Sequence, residues 1–164
     1  MPSTARPGAI PGPSLPRAGE GRGGIPLLCD IVLAADTVRF QDSAHFNSDV
    51  VPGDGMHIVY PLLLGMNRGR YFLMTGQTLD AAEALRLGLV AEVLPADKLL
   101  PRAWDLAGDL ARRPTLLLRY TRLLFTEYLR RQMHDLLGYG LAMESLALFE
   151  KPEAPAAPGT SGKD

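Results

Sequence analysis

A histidine and an aspartate in one polar segment of the chain could form a catalytic pair. His45 precedes Asp54 by nine residues, and Pro52, Gly53 and Gly55 predict a turn that folds back between them. A carboxylate hydrogen-bonded to one imidazole nitrogen fixes the tautomer and leaves the other nitrogen as a general base for water or a carbon acid. The residues alone leave two interpretations open: a His45–Asp54 dyad, or a hydrogen-bonded structural histidine.

Glu144 is the third candidate, because it lies in a predicted helix that is otherwise apolar on several faces. An unpaired buried carboxylate is too costly, so we expect Glu144 to lie at an interface, to pair with an arginine, or to face a hydrated site. His57 and His134 are predicted to be structural, His57 just after the turn and His134 between two helices.

The elements that position these residues divide the chain into three parts. The first 26 residues contain six glycines and six prolines, so residues 1–24 are predicted to be disordered or a wrongly assigned N-terminus. Residues 25–150 form the folding unit, and residues 151–164 are predicted to be a disordered tail.

Within the folding unit, residues 25–34 predict a buried strand or a short helical turn leading into one, and residues 38–41 predict a second short strand. Asp80 and Glu83 form a capping box, and Gly88 is expected to close the helix that follows. Helices are predicted over residues 58–66, 68–75, 81–87, 99–112, 115–131 and 133–149, with a strand over 90–94. The apolar spacing in 99–112 predicts one buried face, formed by Leu100, Ala103, Trp104, Ala107, Leu110 and Ala111.

Composition excludes several classes of function. A net charge of -1 with 21% charged residues argues against a nucleic-acid binder, and no apolar stretch is long enough to span a membrane. The single cysteine, Cys29, rules out an intrachain disulfide, is predicted to be buried, and favours a reducing, cytoplasmic location. No phosphate loop or metal-ligand pattern is present, so we expect no cofactor and no metal.

The arginines of the last helices are predicted to be solvated: Arg119, Arg122, Arg130 and Arg131.

Four stretches together resemble the crotonase family of enoyl-CoA hydratases and isomerases in order and spacing. They are residues 28–35, Phe40, residues 51–55 and residues 75–90. The resemblance covers residues 21–150 and implies an α/β, crotonase-like fold: the later half of a spiral of strand-strand-helix turns, ending in C-terminal helices that commonly build a trimer. It therefore implies a homo-oligomer, a trimer or a dimer of trimers, acting on a small-molecule substrate.

The resemblance also locates the acids that family hydratases use to add water to an enoyl thioester. Those two glutamates correspond here to Gly24 and His45. Both acids are absent, which puts ordinary hydratase chemistry in question.

A closer resemblance is to the β-diketone hydrolases of this family, which cleave a carbon–carbon bond of a cyclic β-diketone by a retro-Claisen reaction without coenzyme A. It is carried by residues 40–42, 45–46, 51–57, 69–73, 114–122 and 139–144. It implies that His45 and Asp54 are the base dyad and that Glu144 holds water or polarises the dyad. The histidine that stabilises the enolate in those enzymes would correspond to Arg22.

Two other functions remain open at this point. The general family motifs favour a hydratase or isomerase acting on acyl-CoA thioesters. The absence of the earlier half of the fold instead favours a truncated, non-catalytic remnant that trimerises through its C-terminal helices.

Overall fold

The computed structural model describes residues 25–150. The segments 1–24 and 151–164, predicted above to be disordered, lie outside the described residues, as do Arg22 and Gly24.

Short strands and longer helices alternate along the described chain. Leu33–Ala35 (β1) pairs in parallel with Glu92–Leu94 (β4), and Arg39–Phe40 (β2) pairs antiparallel with Leu79–Asp80 (β3). The helices are Met56–Leu64 (α1), Met66–Thr75 (α2), Ala81–Arg86 (α3), Ala96–Ala111 (α4) and Thr115–Phe149 (α5), and 3-10 turns occupy Ile25–Leu28 and Phe46–Ser48. Three of the four strands and the first four helices match the predicted order, with ends shifted by a few residues, whereas β3 was not predicted.

The core lies where α1 and α2 pack against the strands and α3. The rings of Tyr60 on α1 and Phe72 on α2 have centroids 4.5 Å apart, and both side chains are almost fully buried. The two helices approach closely because Gly69 lies against the backbone at Pro61, where a methyl group would meet Pro61 N at 2.6 Å. This packing fixes the start of α1, which follows the candidate site directly.

Half of the predicted capping box of α3 is observed: Asp80 caps the helix, but the Glu83 carboxylate accepts hydrogen bonds from Arg86. The Asp80 side chain accepts a hydrogen bond from the backbone N–H of Glu83 at 2.8 Å. Gly88 has φ +76°, a left-handed conformation that favours glycine and ends the helix.

The predicted burial of Cys29 is wrong. The 3-10 turn over Ile25–Leu28 directs Leu27 into the core and leaves Leu28 and Cys29 exposed. A turn of this kind places neighbouring residues on different sides of the chain, so an apolar run does not bury every member.

The last two predicted helices are one helix. Residues 115–131 and 133–149 belong to the continuous α5, and His134, expected between helices, lies within it. Gln132, the residue between the two predicted helices, is an ordinary helix former. Gly138 and Gly140 lie within the helix without breaking it, because a glycine in a helix interior costs only about 1 kcal/mol relative to alanine.

The predicted buried face of α4 is only partly observed. Of the six predicted residues only Ala103 is buried and Ala107 is half-buried, whereas the other four are exposed: Leu100, Trp104, Leu110 and Ala111. Leu99, which is not part of the predicted face, is buried instead. Within the described residues α4 packs mainly against the short strand β1, which covers one edge of the apolar stripe.

The arginines of α5 are on the surface, as predicted. Arg119 is exposed, Arg122 pairs with Asp30, and Arg130 and Arg131 both pair with Glu127. Of the helices within residues 25–150, none has both the length and the apolarity that crossing a membrane requires.

Tyr60 gives the core a measurable pH dependence. Burial, and then the nearby negative charge of Asp42, raise the pKa of Tyr60 well above its ordinary value of 10.0. A raised pKa in the folded state means that stability is complete below pH 10 and is lost as the pH rises beyond it, by about 1.4 kcal/mol per pH unit. Tyr60→Phe should therefore make the free energy of unfolding, measured by urea titration between pH 9 and 11, less dependent on pH.

Tyr128→Phe is the matched control, because it removes a tyrosine hydroxyl from a side chain that is exposed. It should retain the steep alkaline loss of stability. Identical slopes for Tyr60→Phe and the parent protein would contradict the assignment.

Candidate functional site

The candidate site is the loop that leads from β2 to α1. Asp42 and His45 lie just after β2 and are both buried, at 7% and 5% exposure, whereas Ala44 and residues 46–49 are exposed. His45 directly precedes the 3-10 turn over Phe46–Ser48, and its carbonyl oxygen accepts hydrogen bonds from the backbone N–H groups of Ser48 and Val50. The backbone on either side of the imidazole is therefore held in place.

The His45 ring lies between two carboxylates. Its Nδ1 is 2.7 Å from Asp42 Oδ1, and its Nε2 is 3.3 Å from Asp54 Oδ1. An ionised carboxylate only accepts hydrogen bonds, so the shorter contact favours a proton on Nδ1. The contact of Nε2 with Asp54 is longer, which makes Nε2 the nitrogen that can exchange a proton. The His45 side chain is only 7% exposed, whereas the Asp54 side chain beside Nε2 is 49% exposed.

Asp54 is positioned by the turn that starts α1. Its Oδ1 accepts a hydrogen bond from the backbone N–H of Met56 at 3.4 Å, and Gly55 has φ +110°, which only glycine adopts readily. The sequence-predicted pair of His45 and Asp54 is thus brought into contact.

Glu144 reaches the same turn from α5. Gly53 packs directly on the Gly140 backbone, and a methyl group at Gly53 would lie 2.8 Å from Glu144 Cβ. Gly140 and Glu144 are four residues apart and so share one face of the helix. The three sequence-predicted site residues therefore lie on, or packed against, one loop.

The carboxylate of Glu144 has no arginine partner among the described residues. Its Oε2 is buried and has no hydrogen-bond partner within residues 25–150. Of the three settings expected for it, the ion pair with an arginine is therefore not observed in this part of the chain.

Sequence reasoning missed Asp42 as a partner of His45. The sequence does place Asp42 three residues before His45 in the same loop, which could have indicated a contact. The turn residues around Asp54 favoured Asp54 as the partner more strongly. Asp42 makes the shorter and more buried of the two contacts, so it is the better orienting group.

The chain belongs to the enoyl-CoA hydratase/isomerase family, whose sequence pattern matches residues 18–154. A probable enoyl-CoA hydratase of Mycobacterium bovis is 33% identical over 130 residues, which cover 77% of this chain and 49% of that protein. A 2,3-dehydroadipyl-CoA hydratase of Escherichia coli is 30% identical over 118 residues, covering 72% of this chain and 44% of the relative. The chain thus spans about half the length of these curated relatives.

Solved structures confirm a crotonase-like α/β fold. A β-diketone hydrolase from the cyanobacterium Anabaena, bound to (S)-3-oxocyclohexyl acetic acid, is 51% identical with a TM-score of 0.71, and the match covers 74% of this chain and 48% of that one. An enoyl-CoA hydratase from Mycobacterium tuberculosis is 29% identical with a TM-score of 0.67, covering 74% and 52%.

The contact with Asp42 predicts the tautomer of His45. Replacing Asp42 by leucine removes the acceptor at Nδ1 and leaves Asp54, at Nε2, as the remaining carboxylate, so the proton should move from Nδ1 to Nε2. Ring-nitrogen NMR shifts of the labelled protein would detect this change. Asp49→Asn is the control, because Asp49 lies in the same loop with φ +54°, which asparagine tolerates. An unchanged Nδ1–H in Asp42→Leu would contradict the assignment.

The Gly53–Gly140 contact predicts different costs for two glycines of α5. A methyl group at Gly140 would lie 2.5 Å from Gly53 O and 2.8 Å from His57 Nε2, whereas at Gly138 it would meet nothing within 4 Å. Gly140→Ala should lower the free energy of unfolding by about 1–3 kcal/mol through overpacking. Gly138→Ala should raise it by up to about 1 kcal/mol through helix propensity. Equal effects in thermal or urea unfolding would contradict the close contact.

Proposed function

We propose that this chain supplies the base dyad of a crotonase-family hydrolase that cleaves a carbon–carbon bond of a cyclic β-diketone. The observation that carries the proposal is the burial of His45 between Asp42 and Asp54. Neutral imidazole accepts a proton near neutral pH, and the flanking carboxylates stabilise the imidazolium that results.

The proposed reaction begins with water. His45 Nε2 accepts one proton from the water as its oxygen bonds to one carbonyl carbon of the 1,3-diketone, and Glu144 helps to hold that water. The bond to the shared carbon then breaks, its electron pair forms an enolate on the other half, and the first carbonyl becomes a carboxylic acid. The imidazolium returns its proton to the enolate carbon, so that one histidine acts as base and then as acid.

The ligand of the Anabaena hydrolase supports a bicyclic substrate. 3-Oxocyclohexyl acetic acid contains a ketone and a carboxylic acid. In the reverse direction, this acid loses one water and its carboxyl carbon bonds to a ring carbon. When that ring carbon is the neighbour of the ketone that lies across the ring from the side chain, the product is a bicyclic 1,3-diketone. Adding water to that diketone by the proposed route returns the acid, so we propose this substrate class for the present chain.

Residues at the site favour this reaction over hydration of an enoyl-CoA. By the resemblance to family hydratases, His45 stands where a catalytic glutamate is expected, and the matching residues instead resemble those of 6-oxocamphor hydrolase, a β-diketone hydrolase. The names of the curated relatives favour the second candidate, an enoyl-CoA hydratase. The third candidate is a non-catalytic trimerising remnant, which would convert neither the diketone nor an enoyl-CoA.

Kinetics with both substrate classes separate these candidates. The protein should convert the bicyclic diketone to the keto acid, and His45→Ala should lower kcat/KM by about 10²–10⁴ because the general base is lost. His45→Gln should be similarly impaired, since glutamine cannot take up a proton. Asp49→Asn, an exposed carboxylate of the same loop, is the matched control and should keep the parent rate.

The proposal fails if His45→Ala hydrolyses the diketone at the parent rate. Hydration of an enoyl-CoA by a protein that leaves the diketone untouched would support the second candidate. No turnover of either compound would support the remnant.

We also propose a homo-oligomer, a trimer or a dimer of trimers, in the cytoplasm. Its basis is the row of large apolar side chains that α5 leaves exposed in the described structure, including Leu116, Tyr120, Leu124, Phe125 and Tyr128. Analytical ultracentrifugation should give three or six copies, and a monomer at micromolar concentration would contradict the proposal. The single cysteine supports the reducing location.

A further inference from the structure

The carbonyl oxygen of the buried residue Gly76 accepts hydrogen bonds from two side chains of the candidate loop. Gln41 Nε2 lies 2.9 Å from Gly76 O, and Asn47 Nδ2 lies 3.4 Å from the same oxygen. Gly76 directly follows α2, and its left-handed conformation, with φ +59°, ends that helix. The two amide donors therefore satisfy a carbonyl that lies beyond the end of the helix.

The two donors stand at the two ends of the segment that holds the base. Gln41 directly precedes Asp42, and Asn47 comes two residues after His45. The short turn after His45 and the contact between His45 and Asp42 order this segment internally. The bonds to Gly76 O attach both of its ends to α2.

Gly76 is also the place where the loop and α2 meet with no room for a side chain. A methyl group at Gly76 would lie 2.5 Å from Asn47 Nδ2 and closer still to Asn47 Oδ1. The last turns of α2 are held in the core by Phe72 and Leu73, which are both buried. Gly76 thus connects the loop to the packed core.

We propose that Gln41 and Asn47 are positioning residues of the base, and that their bonds to Gly76 O form a clamp that holds His45 against Asp42. The His45–Asp42 contact is short, at 2.7 Å, and a hydrogen bond weakens steeply when its angle is disturbed. Freeing one end of the segment should let the imidazole leave its carboxylate more often. The inference rests on the proposed hydrolase function only for its effect on the reaction.

Exchange of the His45 Nδ1 proton with water tests the Gly76 clamp without turnover. It is measured by saturation transfer from water in protein labelled with ¹⁵N-histidine. Gln41→Met keeps the size of the side chain and removes the donor, so it should speed this exchange about tenfold, as the loss of one hydrogen bond allows. His57 Nδ1, which lies 2.9 Å from Pro52 O, carries the internal reference proton, and its exchange should not change.

Two glycine variants separate the clamp from general strain. Gly76 and Gly88 both have left-handed φ values, +59° and +76°, so alanine is strained at each and should lower the melting temperature in both cases. Alanine at Gly76 would displace the Asn47 amide, whereas at Gly88 it would meet no described atom within 4 Å. Only Gly76→Ala should therefore speed exchange of the His45 proton.

A double-mutant cycle shows whether Asn47 transmits this effect. Asn47→Ala, at an exposed side chain, should speed the exchange as much as Gly76→Ala does. The double variant should match Asn47→Ala alone, because both changes remove the same bond. Additive effects of the two changes on the exchange rate would overturn the role of Asn47.

Kinetics on the bicyclic diketone connect the Gly76 clamp with the reaction. Gln41→Met and Asn47→Ala should each lower kcat by about threefold to tenfold, since misplacing a catalytic group reduces the rate. The KM should change little, because the clamp orients the base and does not bind substrate. Gly88→Ala should keep the parent kcat.

An unchanged exchange rate of the His45 Nδ1 proton in Gln41→Met would overturn the inference, and so would equal acceleration in Gly76→Ala and Gly88→Ala. With the parent active on the diketone, an unchanged kcat in both Gln41→Met and Asn47→Ala would overturn the positioning role while the proposed function stands. A parent inactive on the diketone would refute the function, and the exchange rates would then decide the inference alone.

Discussion

The close contact between the backbones of Gly53 and Gly140 is the constraint on which the candidate site depends. It brings the turn before α1 against α5 with no side chain between them, and a single methyl group on either residue would push the two apart. Asp54 follows Gly53 directly, and Glu144 lies one helical turn beyond Gly140. The backbone positions of Asp54 and Glu144 relative to each other are therefore set by close packing of two backbones, which is far stiffer than contact between flexible side chains.

The electrostatics of the loop are organised around a buried imidazole. The buried Asp42 contacts one ring nitrogen of His45 and the more exposed Asp54 contacts the other, so the ring has a fixed orientation. Asp42 also links the site to the core, since its charge adds to burial in raising the pKa of Tyr60, which packs on Phe72. The site is thus supported by the same α1–α2 packing that holds the fold together.

The local parts of this arrangement could be predicted from the sequence, and the long-range parts could not. The α3 cap, the turn at residues 52–55 and the approach of Asp54 to His45 depend on neighbouring residues, whose side chains and turn preferences are visible in the sequence. The continuity of α5 and the exposure of Cys29 depend on packing that no local pattern encodes. Asp42 was missed as the second carboxylate because an i, i+3 pair in a loop has no characteristic geometry until the backbone is known.

We propose that the scaffold this chain shares with enoyl-CoA hydratases carries a histidine-based hydrolytic site. The most direct test follows oxygen from solvent into product. The protein is incubated with the bicyclic 1,3-diketone in ¹⁸O-labelled water, and the product is analysed by mass spectrometry after the ketone oxygen has been exchanged back in ordinary water. The account predicts one ¹⁸O atom in the carboxylate of the keto acid. Unchanged diketone, together with labelled hydroxyacyl-CoA formed from an enoyl-CoA in a parallel reaction, would contradict it.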